Sequence, residues 1–235
     1  MRDHNDPAVG LLEGMATTRA IRRFRPDPMP DDDLSTILWH ATRAPSGSNR
    51  QPFRFVVLRD GPGAHQAKAL IGEASRRAWA GKRRHDGYEE GSGADLGSPK
   101  ARMAATMQHF VDRFEDTPVV VLACLRAYRE PDPTIGASVY PACQNLLLAA
   151  RALGYGGVMM TWHVLVEPEL RELLGIPDDQ ILAASIALGR PAGHHGPVRR
   201  QPVDRLVYDD RWEGPAAWVA DPPGTRFTKA GPPTR

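Results

Sequence analysis

"LSTILWHATRAPSGSNRQPFRFVVLRD", residues 34–60, holds in one stretch the two periodicities that decide the fold. Its first part, taken with Pro30 and the aspartates at 31–33, reads as a helix over 30–43. Leu34, Ile37, Leu38 and Ala41 share one face, and the three acids occupy the first turn, where the helix dipole favours negative charge. The last part, "RFVVLR" (54–59), reads as a strand. Between them "APSGSNRQP" (44–52) suits neither state. Its Pro, Gly, Ser and Asn mark an irregular loop, while Ser46, Ser48, Asn49 and Gln51 offer hydrogen bonds to a polar ligand. Alone, that composition is ordinary turn chemistry.

The alternation continues outward in both directions. Helices are predicted over 7–19, 63–79 and 100–114. "TPVVVLACL" (117–125) is a continuous apolar run bounded by proline, the pattern of a central strand buried on both faces. "GASVYPACQNLLLAARALG" (136–154) is a long apolar helix ending at Gly154, to be covered by its own core or by a second subunit. Strands at 155–162 and 181–189 flank a short helix at 167–175. "GKRRHDGYEEGSGADLGSP" (81–99) reads as a mobile excursion. The last 40 or so residues, rich in Pro and Trp, have no helical period and must lie over something else. Interleaved helices and strands indicate one α+β or α/β domain over 1–235, built round one sheet, with an extended tail at 210–235.

A chain of 235 residues is long enough for one large core, and a net charge of +2 is too mild to call for nucleic acid or a membrane surface. Only four of the 30 basic residues are lysines, and arginine suits fixed recognition of phosphate or carboxylate. Cys124 and Cys143 read as buried thiols, without CxxC or zinc spacing. The N-terminus "MRDHNDPAVG" lacks a signal-peptide segment, and no apolar run approaches the roughly 20 residues of a membrane span. A soluble, cytoplasmic protein is expected. "HH" (194–195) and "WH" (162–163) lack metal-pair spacing and read as exposed or loop histidines. "GYGG" (154–157) is not a dinucleotide fingerprint, and "SGS" lacks the frame of a nucleophile elbow.

Two basic segments remain. "TTRAIRRFRPDPMP" (17–30) carries Arg19, Arg22, Arg23 and Arg25; a helical turn would aim Arg19 and Arg22 in one direction, as a phosphate or anionic ring requires. "GPVRRQPVDRLV" (196–207) supplies a second arginine pair. Taken with the 34–60 stretch, "LGYGGVMMTW" (153–162) and "LLGIPDDQILAASIALGRPAG" (173–193), these segments resemble the FMN-dependent nitroreductase family in order and spacing. The resemblance covers most of the chain except 61–100 and the tail after 210.

The resemblance implies an α+β nitroreductase-like fold, with a central, mostly antiparallel sheet surrounded by helices and a C-terminal tail wrapping the other subunit of a homodimer. Two FMN molecules would lie at the subunit interface. Carried over by position, Arg19, Ala20 and Arg22 belong to the segment that holds the flavin phosphate and pyrimidine edge. Pro45, Ser46, Gly47 and Ser48 would reach the flavin from the other subunit, supported by Asn49 and Gln51. Met159, Met160 and Thr161 would run along the isoalloxazine near N5, and Arg199 and Arg200 would close on the phosphate. Thr18 and Ala20 stand where many relatives have arginine and serine, and Thr161 and Trp162 replace an acid and a glycine found in some.

The implied activity is an NAD(P)H-dependent oxidoreductase, using NADPH or NADH, that reduces nitroaromatic or quinone-like acceptors by ping-pong hydride transfer through flavin N5. No catalytic side chain is called for, and Arg22 would tune the reduced flavin's charge. The same motifs occur in flavin-fragmenting benzimidazole synthases and reductive dehalogenases, and a low-turnover flavin sensor or carrier is the other class of reading. "KRRH" (82–85) reads as a solvated loop, with recognition of the NADPH 2′-phosphate as the alternative.

Overall fold

The computed structural model describes residues 9–127, 130 and 134–228. In chain order the elements are α1 (Leu11–Thr17), α2 (Asp31–Ala41), β1 (Phe53–Leu58), α3 (Pro62–His85), α4 (Pro99–Asp112), β2 (Val119–Arg126), α5 (Tyr140–Ala152), β3 (Gly156–Met160), α6 (Glu167–Leu174) and β4 (Gln180–Gly189). The strands form one sheet, ordered β1-β2-β4-β3, in which every neighbouring pair is antiparallel. The architecture is α+β, as expected.

Strand β2 explains the layering. Its residues Val119 to Leu125 are all buried, yet successive side chains point to opposite faces. Val119, Val121, Ala123 and Leu125 join the core that packs α2 and α5 onto one face. Val120, Leu122 and Cys124 join a second core with Ala67, Ile71 and Ala74 of α3, Phe110 of α4 and Leu170 of α6. A continuous apolar run is therefore what a strand sandwiched between two helical layers must have. Burial pushes the thiols of Cys124 and Cys143 up to about 11, so both are neutral core groups.

Four local expectations need correction. Arg19 to Arg22 do not form a helical turn: α1 ends at Thr17 and Thr18 is already extended. The chain there lies along β3, and Ile21 is buried against it, a placement that a helical turn would not allow. "KRRH" is not a loop but the last turn of α3, where Lys82 pairs with Asp86 at 2.5 Å and Arg83 with Glu89. The cationic side chains complement the negative end of the helix dipole. His163 is not an exposed or loop histidine; it is fully buried. The predicted helix 136–154 resolves into a short 3₁₀ turn at Ile135–Ser138 followed by α5, and it closes at Gly154, whose φ of 80° suits glycine.

Candidate active site

The site is built on the free edge of the sheet. Among the described strands β3 pairs with β4 alone, and its outer side meets the segment after α1. Ile21 N–H donates to the Gly157 carbonyl at 2.9 Å, and one strand further Arg25 N–H donates to Arg190 O while Ala192 N–H donates to Arg23 O. Along an edge strand alternate residues aim their backbone groups outward, so Met159 and Thr161 share the direction of Gly157, away from β4. Gly156 permits this approach: a Cβ there would stand 2.5 Å from Ile21 Cγ1 and 3.1 Å from His195 Nε2. The glycine-rich "GYGG" thus serves close packing of chain on chain.

Val198 N–H donates to Ala16 O at 3.2 Å, which sets Arg199 and Arg200 beside the end of α1. Arg200 is further flanked by the tail, whose Thr228 N–H donates to the Arg200 carbonyl. Arg19, Ala20, Arg22, Met159, Met160, Thr161, Arg199 and Arg200 therefore line one edge. Met159 is 44% exposed, and Arg19, Ala20, Thr161, Arg199 and Arg200 are also exposed.

This edge is short of negative charge. Burial and the neighbouring Arg19 both hold the Arg22 guanidinium below the usual arginine range, and among the described residues neither arginine has a carboxylate partner. His195 Nε2–H donates to the Tyr155 carbonyl at 3.1 Å, and the ring's titration is pulled down by burial first, then by Arg151 and Arg19. Among the described residues, three buried polar atoms here have no hydrogen-bond partner: Thr18 Oγ1, Arg151 Nε and His195 Nδ1. Clustered cations with unsatisfied buried polar atoms suit an anionic group such as a phosphate.

The 44–52 loop is a different object. It contains a 3₁₀ turn at Gly47–Asn49, and Ser48, Asn49 and Gln51 take φ values of 51°, 52° and 48°. Left-handed backbone costs a non-glycine residue roughly 1–2 kcal/mol, so the surroundings must hold it. They do: Gln51 N–H donates to Ser46 Oγ at 2.9 Å, Gln51 Nε2 donates to Asn49 Oδ1 at 3.2 Å, and Gly47 N–H donates to Ser138 Oγ at 3.2 Å. Pro45 and Gly47 to Gln51 are exposed. The loop leads into β1, the edge strand opposite β3. Three strand spacings separate them, about 14 Å, so one chain does not bring Pro45, Ser46, Gly47, Ser48, Asn49 and Gln51 to the arginine edge.

The wall beyond Thr161 comes from the α3–α4 hairpin. Trp162 stacks on Phe110 at 5.9 Å and packs in a small cluster with Trp79, Met107 and Val111, to which Tyr88 adds its ring 5.1 Å from Trp79. Lys100 Nζ ties the hairpin by donating to Gly87 O at 2.6 Å. Sequence reasoning missed Gly156, Ser138, Arg151, His163 and His195. "GYGG" carried the first signal; the others are single polar residues whose meaning depends on what folds against them.

The profile of the nitroreductase family matches residues 15–190 of this chain. An NADH dehydrogenase of Thermus thermophilus is 33% identical over 213 residues, covering 86% of this chain and 96% of the relative. A nitrobenzene nitroreductase of Ectopseudomonas oleovorans is 28% identical over 191 residues, covering 73% and 82%. Among solved structures, a Desulfovibrio desulfuricans protein described as a nitroreductase in complex with FMN superposes with a TM-score of 0.62. It is 25% identical, and the match covers 88% of this chain and 99% of that one.

Proposed function

The chain is an oxidoreductase of the nitroreductase family, and we propose that it binds FMN between two copies of itself and passes electrons from NAD(P)H to nitroaromatic or quinone-like acceptors. The observation that carries this reading is the division of the site. An electropositive strand edge and a pinned polar loop stand on opposite edges of one sheet, both exposed. A two-fold assembly lets the loop of one subunit meet the edge of the other.

When bound, FMN supplies the hydride chemistry at N5. In this reading Arg19, Arg199 and Arg200 hold the phosphate, with Thr18 Oγ1 and Arg151 Nε offering donors left without partners. Arg22, half-buried beside Arg19, faces the pyrimidine edge and favours the charge that appears there on reduction. Met159 and Thr161, on either side of Met160, give the ring an edge of outward backbone groups, and the hairpin carrying Trp79 and Tyr88 limits water on the far side. The exposed aromatics of the tail, Trp212 at 80% and Trp218 at 71%, are a further sign of a surface meant for a second subunit.

The test is direct. Purified protein should release FMN on denaturation, behave as a dimer by light scattering, and have its flavin bleached by NADPH or NADH and reoxidised by a nitroaromatic. Release of FAD, or a stable flavin-loaded monomer, would sink the reading.

A further inference from the structure

His163 is fully buried behind the last pair of the β3–β4 ladder, Met160 opposite Ser185. Its Nε2 lies 3.0 Å from the Leu182 carbonyl oxygen and its Nδ1 3.3 Å from Ser185 Oγ, and that hydroxyl lies 3.2 Å from the Met160 carbonyl oxygen. Proton counting divides this chain into two states. A carbonyl only accepts, so Nε2 carries a proton in both. With a neutral ring Nδ1 is bare, the single Ser185 hydroxyl proton is donated to it, and Met160 loses its hydroxyl partner. With a protonated ring Nδ1–H donates to Ser185 Oγ, which frees the hydroxyl proton for Met160. One proton thus decides whether Ser185 adds a side-chain hydrogen bond to the Met160 carbonyl at the end of β3, beyond the backbone ladder.

We propose that His163 is a positioning residue whose protonation is coupled to flavin reduction, neutral when the cofactor is oxidised and protonated when it is reduced. The inference rests on the reading that Met159 to Thr161 border the flavin. Burial holds the free ring below the usual histidine range. The charged group facing it is Glu167 of α6, already engaged by Arg171 at 2.7 and 3.0 Å. Leu182 and Ser185 of β4 carry no charge, Cys124 of β2 stays a neutral thiol, and α3 turns Ala67, Ile71 and Ala74 to the same core. Lys68 of α3 is directed instead at the Arg59 and Thr117 carbonyls. The oxidised site is therefore poised with a neutral ring. Hydride from NAD(P)H brings two electrons and one proton to the flavin and leaves one negative charge beside β3. A solvent proton taken up at Nδ1 compensates that charge, so reduction consumes one proton beyond the hydride.

The test is a potentiometric titration of FMN-loaded protein between about pH 5 and 8, wild type against His163→Gln, whose amide can still donate to Leu182. The wild-type potential should fall more steeply with pH over the interval between the two titrations of His163, and the variant should lose that steeper segment. In parallel, ¹⁵N spectra of the wild-type imidazole should change from the Nε2–H tautomer to the doubly protonated ring on reduction, a readout that stands if the variant does not fold. Equal slopes with flavin bound, or a ring that stays neutral through reduction, overturn the inference alone. Failure of the wild type to take up FMN overturns the site assignment and the inference with it.

Discussion

The two exposed regions on opposite edges of the sheet solve different problems. The β3 edge carries charge on plain backbone: Arg19, Arg22, Arg199 and Arg200 line extended chain in which Thr18 and Arg22 need no unusual geometry. The 44–52 loop carries no carboxylate and one arginine, and concentrates its cost in shape, with three non-glycine residues in the left-handed region. A charged partner is recognised at a distance by field, whereas a ring edge is recognised at contact by donors held in place. The edge should therefore respond to substitutions of charge and spacing, and the loop to substitutions of backbone freedom.

The largest effect is expected at Gly156. A valine there must push away Ile21, whose Cγ1 would lie 2.5 Å from the new Cβ, and the whole arginine segment with it. Overpacking of this kind costs about 3 kcal/mol. Urea unfolding should show a lowered midpoint, and FMN affinity should fall further than stability alone accounts for. Unchanged affinity would mean that the segment does not position the cofactor.

Removing charge comes next. Arg200→Ala should weaken FMN by about 2 kcal/mol, the value of a hydrogen bond to a charged group, and leave riboflavin binding unaltered. In the proposed site Arg22 faces charge that appears only on reduction, so Arg22→Ala should instead lower the flavin's midpoint potential. If Arg22→Ala alters affinity alone and Arg200→Ala alters potential alone, the two assignments are exchanged.

A smaller, pH-dependent difference separates the regions. Burial lowers the titration of both His163 and His195, so each unfolded ring takes up a proton before its folded counterpart does. Their contribution is complete above the unfolded value near 6.5 and is lost as pH falls below it. Melting followed from pH 8 downward should show this loss, and His195→Asn should reduce it. Residues 44–52 include no group that titrates in this range, so hydrogen exchange there should change less with acid than exchange in β3.

The sheet and most helices were legible because burial writes itself into periodicity: β2 is uniformly apolar between two helical layers, and α2 shows its face at Leu34, Ile37 and Ala41. The basic segments were visible as composition, but their conformation was not. The spacing of Arg19 and Arg22 fits a helix, and only the contact of Ile21 with Gly156 and Gly157 decides for extended chain. His163 was misread for the same reason. One histidine after a tryptophan says nothing until Leu182 and Ser185, about 20 residues later, fold behind it.

The smallest effect is expected at Ser48, and it tests the loop's side of the contrast. At φ 51° and ψ 28° a serine bears left-handed strain that glycine does not, whereas glycine gives the unfolded chain more freedom. The two terms are each about 1 kcal/mol and opposed, so Ser48→Gly should leave thermal stability within a few tenths of a kcal/mol. Its effect should appear in FMN affinity, since the loop then has to be ordered on binding. Ser48→Ala separates the causes by keeping the strain and deleting the hydroxyl. Equal loss of affinity in both variants assigns the role to the hydroxyl, and loss in glycine alone assigns it to the fixed backbone, the outcome expected here. A clear loss of stability in either would mean that Ser48 anchors the loop within its own chain, and unchanged affinity in both would remove the loop from the cofactor site.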